Sequence, residues 1–260
     1  MSRWLYLGTG LESSPILEAL SKADRAHFLV GPPAFKDLES RDLVIEAFTE
    51  EDQKEKALRA VAQSREWKGT VASVVEKKSA TYWAVKSGLG ERFVGFHIAP
   101  GAGKTGAVEL LRGEVTAKEA VDCARTAFEE LGLLVTVCRD QAGGILPRVL
   151  AGMINEAAFM AQSGIAPVDK IDEMMRLAAN FPMGPFEWAD QIGLDRVLSL
   201  LETLSREFGS IYQPCPMIRR KVEAGKLGKK TGQGFYDWMM FSGNRIIVMK
   251  SHGFGQARTI

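Results

Sequence analysis

The 260-residue chain is short of the features that would settle its class at once. It has three cysteines, Cys123, Cys138 and Cys215. An odd number without metal-ligand spacing argues against a disulfide framework or a zinc site and leaves reduced, partly buried thiols. An excess of one charge is missing too: 33 Lys and Arg against 32 Asp and Glu give a net charge of +1. No long-range field therefore gathers nucleic acid or an anionic membrane, and an anionic ligand has to be held by local groups. No apolar run approaches the roughly 20 residues that span a bilayer. The start, Met1-Ser-Arg-Trp-Leu-Tyr-Leu-Gly8, has neither a long apolar core nor a small-residue cleavage site. A soluble cytoplasmic protein without nucleic-acid or membrane partners is the expectation. Internal repeats and low-complexity linkers are also lacking. What is present is a globular composition, 46% hydrophobic and 25% charged, in a chain long enough for one large domain or two ordinary ones.

The first half alternates strand and helix patterns. Trp4-Leu-Tyr-Leu reads as a short buried strand ending in Gly8-Thr-Gly10, with Pro15 to Leu20 as the helix after it. Residues 26–30, 42–47, 70–75 and 92–96 read as further strands, with an acidic and basic helix from Glu50 to Arg65. Such alternation implies parallel βαβ crossovers and a doubly wound sheet. Val108 to Leu111, a helix over 117–131 and a strand over 133–137 complete it. After Asp140-Gln-Ala-Gly-Gly144 the pattern turns helical: Leu146, Val149, Leu150, Met153, Ile154, Ala157 and Met160 fall three and four apart. Pro167 opens the next helix, with Ile171, Met174, Met175 and Ala178 as its stripe. The methionines read as adaptable core. Helices near 194–208 and 217–224 follow, and one more strand is expected at 245–249 before a loose polar end. The expected division is an α/β domain over 1–141, an all-α domain over 142–238 and a tail over 239–260.

Residues 178–195 are the most distinctive stretch. Pro182 and Pro185 fix φ and cannot donate backbone hydrogen bonds, so Asn180 to Pro185 should be a rigid corner between two helices. The run Pro-Met-Gly-Pro-Phe-Glu (182–187), followed by Gly193-Leu-Asp195, resembles the C-terminal helical domain of the 3-hydroxyacyl-CoA dehydrogenase family. Gly228-Lys-Lys-Thr-Gly-Gln-Gly-Phe-Tyr236 resembles it too, and Ile154-Asn-Glu-Ala157 joins them in family order. The resemblance implies a Rossmann-like NAD-binding domain, here shortened, ahead of a helical domain for substrate and dimerisation. It also implies NAD as cofactor, an acyl-CoA or 3-hydroxy acid substrate, a place in fatty-acid metabolism, and a homodimer.

The candidate catalytic pair is His97, in Phe96-His-Ile-Ala-Pro100, and Glu109, twelve positions later. The family places a dyad of these residue types at this spacing. Alcohol oxidation needs a base for the hydroxyl proton, and a carboxylate on the other imidazole nitrogen fixes the tautomer and steadies the imidazolium. For the cofactor, Gly8 and Gly10 match the first two glycines of a GxGxxG turn, whose backbone can approach a pyrophosphate. Glu46 and Glu50 match family positions that border the nicotinamide.

Several positions depart from the family. Ser13 stands for the third glycine and Gly31 for the acid that holds the ribose. Val74, Val75, Glu76 and Lys77 fall where the family has Asn-Thr-Ser-Ser, leaving Ser79 as a substitute only with a local shift. Pro147 replaces an asparagine, Pro100 and Gly101 replace Asn-Pro, and the helical arm that contacts CoA is absent between the second and third strands. Gly101-Ala-Gly-Lys-Thr105 lacks the first glycine of a nucleotide P-loop, with Ile98 in its place, so ATP binding is not expected. Lys229 and Lys230 read as a solvated turn. Two readings remain open: an NAD-dependent oxidoreductase, which His97 and Glu109 favour, and a non-catalytic dimeric binding or structural protein, which the departures favour.

Overall fold

Short runs of Val, Ile, Leu and aromatic residues build the inner strands of the first unit, which are buried on both faces. The computed structural model describes residues 3–8, 20, 22, 26–48, 50–98, 106–240 and 246–251. The chain forms two units, Met1–Ile145 and Leu146–Ile260. In the first, strands β1 (Trp4–Leu7), β2 (Ala26–Leu29), β3 (Leu43–Glu46), β4 (Thr70–Val74), β5 (Phe93–Ile98), β6 (Ala107–Arg112) and β7 (Leu134–Arg139) make one sheet in the order β2-β1-β3-β4-β5-β6-β7. Helices α1 (Phe35–Leu38), α2 (Glu51–Gln63), α3 (Ala80–Ser87) and α4 (Lys118–Glu130) accompany it.

Side chains alternate between two cores. On one face Tyr6, Ile45, Val94, Phe96, Val108 and Leu110 meet Ala124 and Phe128 of α4. On the other, Leu5, Leu7, Val44, Val71, Phe93 and Leu111 meet Leu58 and Val61 of α2 and Trp83 of α3. Adjacent pairs from β2 through β5 are parallel, as are β6 and β7, but β5 and β6 are antiparallel. The expected run of parallel crossovers breaks there because only residues 99–106 join these strands, too few for the dozen or more that a parallel connection needs.

Helix α3 has no counterpart in the sequence reading. Ser79 is its N-cap, accepting the Tyr82 N–H at 3.0 Å, so this hydroxyl serves the helix. Asp140 reinforces the same helix start: its carboxylate accepts the N–H groups of Ala80 and Thr81 at 2.9 and 2.7 Å and the Thr81 hydroxyl at 2.7 Å. The helix expected over 15–20 lies outside the described residues, apart from Leu20.

The second unit contains α5 (Leu146–Gln162), α6 (Val168–Ala178), α7 (Pro185–Ile192), α8 (Leu194–Phe208) and α9 (Pro216–Glu223). A two-stranded ribbon of β8 (Tyr236–Met240) and β9 (Ile246–Ser251) adds to them. Residues 252–260, expected to be loose, lie outside the described residues. The proline corner is present: Asn180 has φ +55 and Pro185 opens α7. Two buried aspartates tie the motifs together. Asp172 accepts the Phe186 and Glu187 N–H groups at 2.9 and 3.0 Å and the Tyr236 hydroxyl at 2.7 Å. Asp190 accepts the N–H groups of Phe235 and Tyr236 at 2.9 Å each and the Trp238 indole at 2.8 Å. A Cβ at Gly234 would collide with the Asp190 carboxylate. Burial pushes both acids up, Asp172 to about 6. Asn155 adds a third tie, donating to Gln213 O at 2.9 Å and accepting Cys215 N–H at 2.8 Å. The family strings are thus the frame of this unit.

Candidate active site and cofactor crevice

Because β1, β3, β4 and β5 are parallel, their C-terminal ends lie along one edge of the sheet. The order β2-β1-β3 puts a topological switch point beside β1, and in doubly wound sheets the ligand crevice opens there. Gly8 ends β1 with φ +137, and its N–H donates to Leu29 O at 3.2 Å. A Cβ on it would meet the Ala47 carbonyl carbon at 2.7 Å, so only glycine lets these strand ends close up. Gly10 and Ser13 lie outside the described residues, as do Gly101 to Thr105.

His97 is the penultimate residue of β5, and Glu109 lies directly opposite it on β6 in the antiparallel register. The twelve-residue spacing is therefore the geometry of a cross-strand pair, whose side chains share one face. That face carries α2 and α3, since His97 and Glu109 keep step with Phe93 and Leu111. His97 Nδ1 stands 3.9 Å from Glu109 Oε2, and both side chains are 11% exposed. Among the described residues Nδ1 has no hydrogen-bond partner. Ile145 N–H donates to Glu109 Oε2 at 2.8 Å. The chain leaves β7 alongside β6, from Arg112, whose carbonyl accepts Asp140 N–H at 3.1 Å, to Glu109. Gly144, at φ +54, lies against the pair, and a Cβ there would strike the Glu109 carboxylate and come within 2.9 Å of His97 Nδ1. Ile145 and Gly144 are silent in the sequence, since a backbone donor and an absent side chain leave no residue signature.

Glu46 is fully buried at the end of β3. Its carboxylate accepts the Phe48 N–H at 2.6 Å, the Ser73 hydroxyl at 2.5 Å and the Lys54 ammonium at 2.5 Å. Lys54 also donates to Ser73 Oγ at 2.7 Å and Val74 O at 2.5 Å, with its ammonium 5.5 Å from the Trp83 ring centre. Burial pulls the lysine down, opposed by Glu46. Lys54 carries no signal of this role in the sequence, because Glu51-Asp-Gln-Lys-Glu-Lys56 has the charges of a solvated helix face. Glu50 is exposed in extended backbone just before α2, and its side chain makes no capping bond.

The crevice fits a dinucleotide in one respect and not in another. At Gly8 the missing Cβ makes room for the Ala47–Phe48 backbone, the tight turn that a dinucleotide fingerprint needs of its first glycine. Gly31, with φ +138 and none of the described residues within 4 Å of a Cβ, supplies no carboxylate for the ribose. Among the described residues no group of three or more metal-binding side chains occurs, and no helix is long and apolar enough to cross a membrane.

A doubly wound sheet with a switch point beside β1 and a histidine-carboxylate pair on the same edge fits a nicotinamide-dependent oxidoreductase. Comparison narrows this class. The model of the 3-hydroxyacyl-CoA dehydrogenase NAD binding domain matches residues 17–141, and that of the C-terminal domain matches 143–238. The 3-hydroxybutyryl-CoA dehydrogenase of Bradyrhizobium diazoefficiens is 36% identical over 228 residues, 87% of this chain and 78% of that protein. A probable 3-hydroxybutyryl-CoA dehydrogenase of Bacillus subtilis is 36% identical over 205 residues, 78% of this chain and 71% of its own length. The crystal structure of (S)-3-hydroxybutyryl-CoA dehydrogenase from Ralstonia eutropha superposes with a TM-score of 0.77 at 26% identity, covering 90% of this chain and 98% of that one. The chain belongs to the 3-hydroxyacyl-CoA dehydrogenase family.

Proposed function

We propose that the protein is an NAD-dependent dehydrogenase that oxidises a 3-hydroxyacyl-CoA, or a shorter 3-hydroxy acid, to the 3-keto product. The observation that carries this reading is the His97–Glu109 cross-strand pair at the edge where the parallel strands end. His97 takes the substrate hydroxyl proton on its Nε2. Glu109, oriented by Ile145 N–H, closes the remaining gap to Nδ1 and stabilises the imidazolium. Catalytic hydrogen bonds are often long before substrate binds, so 3.9 Å suits a resting pair. NAD, when bound, accepts the hydride. Gly8 and Gly10 hold its pyrophosphate and Glu50 borders the nicotinamide, while the buried Glu46 acts from within the wall. Residues 1–141 form the cofactor domain, residues 142–238 serve substrate and dimerisation, and 239–260 are a tail.

The helical unit also supports a homodimer. Val149, Ile165, Met174, Leu177 and Ile211 are each more than 60% exposed, apolar surface that a second copy would cover.

The catalytically silent reading keeps two specific supports. Val74 to Lys77 supply no serine or asparagine where the family has them, and Pro147, in the first turn of α5, has no side-chain donor. Loss of a positioned donor costs roughly two to three orders of magnitude in rate. Titration of the protein with NADH, followed by fluorescence, and steady-state oxidation of 3-hydroxybutyryl-CoA test the reading. Binding with turnover is expected; absence of both in folded protein would leave the silent alternative.

A further inference from the structure

The Lys54–Glu46–Ser73 cluster lies on the same sheet face as the histidine-carboxylate pair. Glu46 and Ser73 are register partners on β3 and β4, and Ser73 is level with Gly95, two residues before His97 on β5. Lys54 comes from the first turns of α2 and reaches across both strand ends. All three of its ammonium protons have acceptors: a carboxylate, a hydroxyl and the Val74 carbonyl. The residues it holds are those that turn the chain at the crevice. Val74 ends β4. Glu46 in turn holds the Phe48 N–H, and the Ala47–Phe48 backbone is the surface against which Gly8 closes. A single ammonium thus ties the ends of β3 and β4 together and, through Phe48, sets the seat of Gly8.

We infer that Lys54 is a positioning residue for the cofactor, a buried strut that fixes the Gly8, Ala47–Phe48 and Val74–Val75 backbone against which the dinucleotide lies. The inference rests on the proposed NAD-dependent function. A strut of this kind has a defined kinetic signature. Weakening it lets the strand ends drift, which lowers affinity for the cofactor, while His97 and Glu109, held by β5, β6 and Ile145, keep their geometry. Cofactor affinity and KM for NAD should therefore change, with turnover at saturating NAD preserved.

Lys54→Met alone leaves the Glu46 carboxylate buried without its cation, a change that can unfold the domain. The test therefore uses the charge-neutral pair Lys54→Met with Glu46→Gln, and separately Ser73→Ala, which removes one hydroxyl and no charge. For each, NADH affinity is measured by fluorescence, KM for NAD and kcat by 3-hydroxybutyryl-CoA oxidation, and folding by circular dichroism and Tm. The expected result is a Kd for NADH raised about tenfold or more in the double variant and about threefold in Ser73→Ala, with kcat of Ser73→Ala within about threefold of wild type. If the double variant does not fold, Ser73→Ala decides. Unchanged Kd and KM in a folded variant, or a loss confined to kcat, would overturn the strut while leaving the cofactor reading intact. Failure of the wild-type protein to bind NADH would overturn both.

Discussion

At the residue scale the pairing of His97 with Glu109 was expected from the family's spacing alone, and the antiparallel register of β5 and β6 gives that spacing a physical meaning by setting the two residues opposite each other. Their supports were not legible. Ile145 contributes a backbone N–H, Gly144 contributes the lack of a side chain, and Lys54 hides in a run of charges. Gly144→Ala tests how closely that support fits. The new Cβ meets Glu109 and His97 at φ +54, and a left-handed backbone costs a non-glycine residue about 1–2 kcal/mol. Tm should fall by about 2–8 °C and kcat by ~10- to 100-fold, the cost of a misplaced catalytic group. Gly31→Asp separates two effects at one position. A carboxylate returned to the ribose should tighten NADH binding by about tenfold, since a hydrogen bond to a charged group is worth about 1.5–3 kcal/mol. The φ of +138 strains any side chain, so Tm should fall in the same variant. Fluorescence titration and calorimetry read the two changes.

At the scale of elements, strands and long amphipathic helices follow from periodicity, and most of them lie near the expected residues. Helix α3 escaped because it is only eight residues long and is held by groups remote in sequence, above all Asp140. The antiparallel step between β5 and β6 escaped because strand direction is set by the length of residues 99–106, not by strand composition. The proline corner was legible, since Pro182 and Pro185 restrict the backbone whatever surrounds them. Its partner was not, as nothing local pairs Asp172 with Tyr236. That pair gives the helical unit a pH dependence. Asp172 is buried and its pKa is raised from 3.8 to about 6, with Glu187, Arg176 and Tyr236 around it. Between these values the folded state keeps a proton that the unfolded chain has released, so this group's stabilisation is greatest below pH ~4 and is lost as pH rises through 6. The stability difference between wild type and Asp172→Asn should accordingly shift against wild type by up to roughly 3 kcal/mol from pH 4 to pH 7. Urea unfolding at several pH values checks it, and a pH-independent difference would contradict it.

For the whole molecule, alternation of strand and helix predicted the first unit and helical periodicity the second. The match of two family domains over 17–141 and 143–238 bears out the family reading. Association is less legible, because an apolar helix stripe looks alike whether it faces a core or a second chain. Light scattering at micromolar concentration should give a mass of about twice the 28.5 kDa chain; a mass equal to the chain would remove the homodimer. The central claim is that this chain oxidises its substrate through the His97–Glu109 pair. The most direct measurement is the steady-state oxidation of 3-hydroxybutyryl-CoA by wild type, Glu109→Gln and His97→Gln, each first shown to be folded and to bind NADH equally. The account predicts that His97→Gln loses about two to four orders of magnitude in kcat, the range for a positioned general base, and Glu109→Gln less, because the imidazole remains. Equal rates in wild type and His97→Gln would contradict it.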